Sequence, residues 1–170
     1  MDGVVDVSNA NDEQLEGFRC LRKKLPAEQL LVEGFEAILL LLTSSFISTE
    51  VLIQRYMLPR IQEIIDGKVL RPKVFTCELQ KMEELTGITV PSSKAMNLAF
   101  ALARRPSLCQ LDTVLTPPLA PLRLVVLDGL TDATNVGTIV RVATAFGASA
   151  LLLSADCCDA LSHRAIRVSL

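Results

Sequence analysis

Apolar and polar positions alternate along this chain in short blocks that fall into three regions of different character. Residues 1–12 are polar and acidic with Asn and Asp punctuation, which predicts a loose tail. Residues 13–105 predict a small α/β domain of short elements. A helix is expected from about Glu13 to Lys24, ended by Pro26. Glu33–Ser44 reads as a buried helix and Glu50–Gln54 as a short strand. Leu58–Ile65 is helical, with Asp66-Gly67 as its stop. Lys73–Cys77 predicts a second strand, Glu78–Thr86 a helix closed by Gly87, and Ile88–Val90 a third short strand. Ser92 or Ser93 then caps a helix running to about Arg104.

Residues 106–121 hold four of the eight prolines, and proline breaks both helix and central strand. This stretch reads as the linker to a last region, 122–170. There Leu122–Asp128 is a near-continuous apolar run, as a central parallel strand requires. Gly129–Thr134 is a polar turn, Asn135–Phe146 a helix with Gly147 behind it, and Ala148–Leu153 a second apolar strand. Strand, helix and strand of these lengths make one βαβ unit, right-handed by rule.

At 100° per residue, Val136, Ile139, Val140, Ala143 and Phe146 share one face of that helix and should pack on the sheet. Arg141 points away, among Gly137, Thr138, Thr144 and Ala145, and is the one charged residue between Ala133 and Ala155. A solvated helix face normally carries several charges. A single arginine among small residues implies a face covered by a later segment, a partner subunit or substrate. The alternative is a lone surface arginine. The turn Thr131–Asn135 places side-chain oxygens and backbone N–H groups at a helix start, where anions are favoured, although capping alone also explains these residues.

Half the residues are apolar, enough to bury a core. The net charge of -2 gives no support for nucleic-acid binding by bulk charge. Residues 122–170 balance four arginines (123, 141, 164, 167) against four aspartates (128, 132, 156, 159), so RNA contacts would have to be local. The densest basic cluster is Arg19, Arg22, Lys23 and Lys24. It reads as a solvated face near a helix end, or more sharply as a phosphate contact. The cysteines number five, with no Cys-x-x-Cys spacing, which favours free thiols over a disulfide framework or a metal site. Adjacent Cys157 and Cys158 carry a lesser redox reading. No signal-peptide pattern or membrane-length apolar run is visible, so a soluble, intracellular protein is expected.

The stretch from Leu127 to Ala148 contains Asp132, two residues, Asn135-Val136-Gly137, three residues, Arg141, then a small residue, and later Phe146-Gly147. It resembles the first signature motif of SpoU-type (SPOUT superfamily) RNA 2'-O-ribose methyltransferases. It departs at Ala133 and Thr134, where the family often has Pro and Gly. Ala160–Leu170 is similar to the family's stretch after the second strand, and Leu31–Gly34 to the start of its small N-terminal RNA-binding domain.

The resemblance implies an α/β fold in which a small N-terminal RNA-binding-type domain precedes the first βαβ part of a parallel-sheet methyltransferase domain. It implies Arg141 as a catalytic residue that helps activate or orient the ribose 2'-hydroxyl, and Asn135 as its active-site companion. S-adenosylmethionine is the implied cofactor, tRNA or rRNA the substrate, and a homodimer the assembly. The family's second and third motifs, which form its knot and cradle the donor, lie further downstream than Leu170, so the chain is expected to be C-terminally truncated with no cofactor-binding residues of its own. Two rivals stand beside the enzyme. One is a non-catalytic RNA-binding or dimerisation module. The other is a generic nucleotide-binding α/β domain with Asp156 as a ribose-binding acid, although no Gly-x-Gly-x-x-Gly is present. His163 is expected to be structural.

Overall fold

The structure is a computed structural model that describes residues 3–19, 21, 25–115 and 121–169. Two compact units divide the chain, Met1–Arg105 and Pro106–Leu170. In the first, strands β1 (Val4–Asp6), β2 (Gln29–Glu33), β3 (Ser48–Gln54), β4 (Lys73–Cys77) and β5 (Phe100–Arg104) form one sheet in the order β1-β4-β3-β5-β2. β4 runs parallel to both β1 and β3, whereas β5 is antiparallel to β3 and β2. Helices α1 (Phe35–Thr43), α2 (Leu58–Asp66), α3 (Leu79–Thr86) and α4 (Ser92–Ala95) connect them. The strands fall inside because Val51, Leu52 and Ile53, and Phe100 to Ala103, are buried on both faces. Phe18 meets Phe75 edge-on with ring centroids 6.0 Å apart in the same core. Arg60 stacks over the Phe35 ring at 4.5 Å and bonds Glu36 at 3.0 Å, tying α2 to α1.

Residues 4–9 are not a tail: β1 joins the sheet edge beside β4, and Val7 is buried. A three-residue strand paired with residues seventy positions away leaves no local signal. The expected helix from Glu13 forms only a 3-10 turn at Glu16–Phe18 within the described residues. Leu15, Phe18 and Leu21 repeat every third residue and are all buried, the spacing that eclipses in a 3-10 turn. Arg22, Lys23 and Lys24 lie outside the described residues.

The helix expected from Ser92 to Arg104 stops at Ala95, and its second half becomes the interior strand β5. Ala and Leu favour helices, but burial between two neighbouring strands overrides that preference. Ile88–Val90 forms no strand. Its N–H groups go to Thr86 Oγ1 at 3.3 Å and Glu83 Oε1 at 3.0 Å. β2 was not foreseen as a strand, and the 106–121 stretch contains a short helix, α5 (Leu111–Leu115).

The second unit is the expected βαβ followed by a helix: β6 (Leu124–Leu127), α6 (Ala133–Ala145), β7 (Ala150–Leu153) and α7 (His163–Ser169). β6 and β7 are parallel, with Leu127 opposite Leu153. Gly147, at φ +68°, turns the chain out of α6 into β7. Val136 and Ala143 are buried as the helical face predicted, but Phe146 is 77% exposed. A two-stranded sheet is too narrow to meet the far end of that face. No helix among the described residues is long and apolar enough to cross a membrane.

Candidate functional site

In parallel strands the carboxyl ends lie side by side, so the loops leaving β6 and β7 must meet. The β6 loop ends in a capped helix start. Asp132 Oδ1 accepts the N–H groups of Thr134 at 2.7 Å and Asn135 at 2.9 Å. These bonds, the Asn135 N–H first, and the nearby Arg164 hold the Asp132 carboxyl below its usual range.

The two loops are laced together. Gly129, at φ +62°, donates its N–H to Ser154 Oγ at 2.9 Å, and Ser154 donates to Asp156 at 2.5 Å. The Leu130 N–H reaches Cys157 Sγ at 3.3 Å, and the Cys157 thiol donates to the Leu127 carbonyl at 3.3 Å. Cys158 N–H closes on the Leu130 carbonyl at 2.9 Å. The Ser154 hydroxyl holds the Asp156 carboxyl below its usual range, and burial first, then the neighbouring Cys157, pushes the Cys158 thiol up. A Cβ at Gly129 would sit 3.3 Å from Asp156 Oδ2, so glycine serves both the left-handed turn and the close approach of the acid.

α7 then packs onto α6. The contact is closest at Gly137, where a Cβ would lie 2.4 Å from the Ala165 carbonyl oxygen. Beside it, Arg164 Nε donates to Thr134 Oγ1 at 3.0 Å. The expectation that small residues admit another backbone onto this helix is therefore met at Gly137, by a later segment of the same chain. Arg141, Thr144 and Ala145 stay exposed.

Asn135 and Arg141 are both solvent-exposed residues of α6. They are six residues apart, about 9 Å along the axis and about a third of a turn around it, so they border one region without touching. Arg141 forms no hydrogen bond or ion pair with a described residue. Asp156 is spent locally on Ser154 and the Gly129 turn. His163 is half-buried at the start of α7. Arg19, of the basic cluster, pairs with Asp12. Sequence reasoning did not single out Ser154, Cys157 or Arg164 for the contacts they make. Their partners lie 25 to 30 positions away, and only the rule that parallel strand ends are neighbours points to them.

Residues 123–170 match the family model described as the SpoU rRNA Methylase family. No curated protein matches the chain. Among solved structures, an rRNA methyltransferase from Sinorhizobium meliloti aligns with a TM-score of 0.74 at 19% identity, covering 98% of this chain and 61% of that one. The AdoMet-bound form of that enzyme aligns at 0.72 and 18%, covering 98% and 60%. The SpoU methyltransferase AviRb from Streptomyces viridochromogenes aligns at 0.68 and 18%, covering 93% and 57%. At these identities the likeness is one of fold, and the chain spans about 60% of the length of the structures it matches.

The Gly129 and Leu130 N–H groups at the mouth of the strands are already bonded to Ser154 and Cys157.

Proposed function

We propose that the protein serves 2'-O-ribose methylation of tRNA or rRNA, a reading supported by the match of residues 123–170 to the SpoU rRNA Methylase family model and by the likeness in fold to such enzymes. S-adenosylmethionine is the methyl donor of this reading, and the chain's own part lies on the acceptor side. Arg141 carries it: an exposed guanidinium with no partner among the described residues, on a helix stretch otherwise free of charge. A ribose hydroxyl is a poor nucleophile, and a fixed cation stabilises the alkoxide charge that develops as it attacks. Arginine keeps its proton at neutral pH, so it acts by electrostatics and by holding the substrate phosphate rather than as a base. Asn135, with its backbone N–H held by Asp132, presents an amide that can both donate to and accept from the sugar.

The test is methyl transfer from labelled S-adenosylmethionine to RNA by the purified chain, with ribose methylation read as an alkali-resistant dinucleotide. Arg141→Ala should lower the rate by about a hundredfold or more. Methylation of a base, or full activity in that variant, overturns the assignment.

A second reading is a non-catalytic RNA-binding or dimerisation module. It is favoured by the occupied loop N–H groups and by the exposure of Val126, Val142 and Phe146. Calorimetric titration with S-adenosylmethionine separates the two readings, since only the enzyme takes up donor. Sedimentation decides whether the chain is the expected homodimer.

A further inference from the structure

We propose that Arg164 is a second RNA-binding residue of this site, a phosphate contact that works together with Arg141 along one stripe of α6. The inference rests on the RNA reading above and extends it to a residue on another helix.

Thr134, Thr138, Arg141 and Ala145 recur three and four residues apart, so they line one face of α6. Thr134 and Arg141 are two turns apart, about 10 Å along the axis and within about 20° around it. Arg164 reaches from α7 to the Thr134 hydroxyl at 3.0 Å, which brings its guanidinium to the near end of that stripe. Arg141 marks the far end. The stripe between them contains no carboxylate.

The bond to Thr134 uses only the Nε donor. Arginine has five N–H donors, and both terminal amino groups remain in a fork suited to phosphate. Arg164 forms no ion pair within the described residues; its anchor is a neutral hydroxyl, and the Asp132 carboxylate lies near enough to feel its charge. The anchor is also rigid. Arg164 precedes Ala165, whose backbone presses on Gly137 at the closest point between the helices. A side chain placed only to join α7 to α6 would gain more by pairing directly with Asp132, yet the Arg164 hydrogen bond goes to Thr134, while Asp132 Oδ1 accepts the N–H groups of Thr134 and Asn135. Other acids at this edge are similarly engaged: Asp156 with Ser154, and Asp159 with the Leu161 N–H at 2.9 Å.

The experiment is a fluorescence-anisotropy titration of the chain with a labelled single-stranded 12-mer oligouridylate over a series of salt concentrations. Each phosphate neutralised on a single strand adds about 0.7 to the slope of log K against log salt. Arg164→Gln keeps an N–H for Thr134 but carries no charge. It should bind about tenfold more weakly, with the slope reduced by about 0.7. Arg164→Lys should keep the slope with weaker binding, because the charge remains and the fork is lost. Arg141→Ala should lose a similar slope, and the double variant both.

Wild-type affinity and slope in Arg164→Gln, with Arg141→Ala weakened, would overturn the role of Arg164 and leave the RNA reading standing. Failure of the unaltered chain to bind the oligonucleotide at any salt would overturn both. Circular dichroism on each variant identifies any that fails to fold, and the glutamine and lysine variants then decide separately.

Discussion

Gly137→Ala tests the contact on which the C-terminal unit is built. The added Cβ would lie 2.4 Å from the Ala165 carbonyl oxygen and 3.1 Å from its carbonyl carbon and Cα. Those atoms are backbone, so no side chain can swing aside, and ordinary contact begins at 3.4 Å. α7 must therefore retreat by about 1 Å, at an overpacking cost of about 1–3 kcal/mol. Alanine is better than glycine inside a helix by about 0.8–1 kcal/mol, which opposes that cost. The net loss in stability is roughly 0–2 kcal/mol, and it falls on the docking of α7 rather than on α6 itself.

Two measurements separate these contributions. Hydrogen exchange followed by mass spectrometry should show faster exchange at amides 163–169, with little change in α6. Urea unfolding followed by far-ultraviolet circular dichroism gives the net change. If Gly137→Ala exchanges as the unaltered chain does and gains about 1 kcal/mol, only the helix propensity is at work and the close approach of Ala165 is refuted. Detaching α7 would also take Arg164 away from Thr134, so the same variant should weaken oligonucleotide binding without removing a charge.

The first unit yields two further tests. Phe18 is fully buried against Phe75, so Phe18→Ala should cost about 3–5 kcal/mol by urea unfolding, and a cost under about 1 kcal/mol would mean that residues 13–21 do not belong to the core. Glu50 is half-buried beneath Gly17, and its Oε2 has no hydrogen-bond partner among the described residues; burial raises its carboxyl above the ordinary 4.5, with Lys73 opposing. The folded state then holds the proton more tightly than the unfolded one, so stability should fall as pH rises from about 4.5 through the raised value. Glu50→Gln should remove that step; parallel stability-against-pH curves for the two proteins would contradict the burial of the acid.

Legibility in the sequence followed the locality of the forces. β4, α2 and α3 were readable almost to the residue, because their ends are written in Gly67, Gly87 and the flanking polar positions. The βαβ of residues 124–153 was readable because its apolar runs and the Gly147 turn are local. Arg141 emerged from a helix face with one charge, Gly137 from its size, and Asn135 from the resemblance of residues 127–148 to a family motif. β5 misled, because an alanine-rich run favours a helix until strands on both sides bury it. β1 was invisible for the opposite reason: three residues carry too little pattern to announce a pairing with β4.

The sequence by itself therefore determined the kind of C-terminal unit, its helix start and the two residues that border its exposed face. Tertiary structure alone decided how that face is finished. Ser154 and Cys157 lace the loops because parallel strands bring their carboxyl ends together, across separations of 25 and 27 residues. Arg164 reaches Thr134 because glycine at position 137 lets the α7 backbone come closer than any side chain would allow. Such contacts depend on distance in space, and a one-dimensional pattern records only distance along the chain.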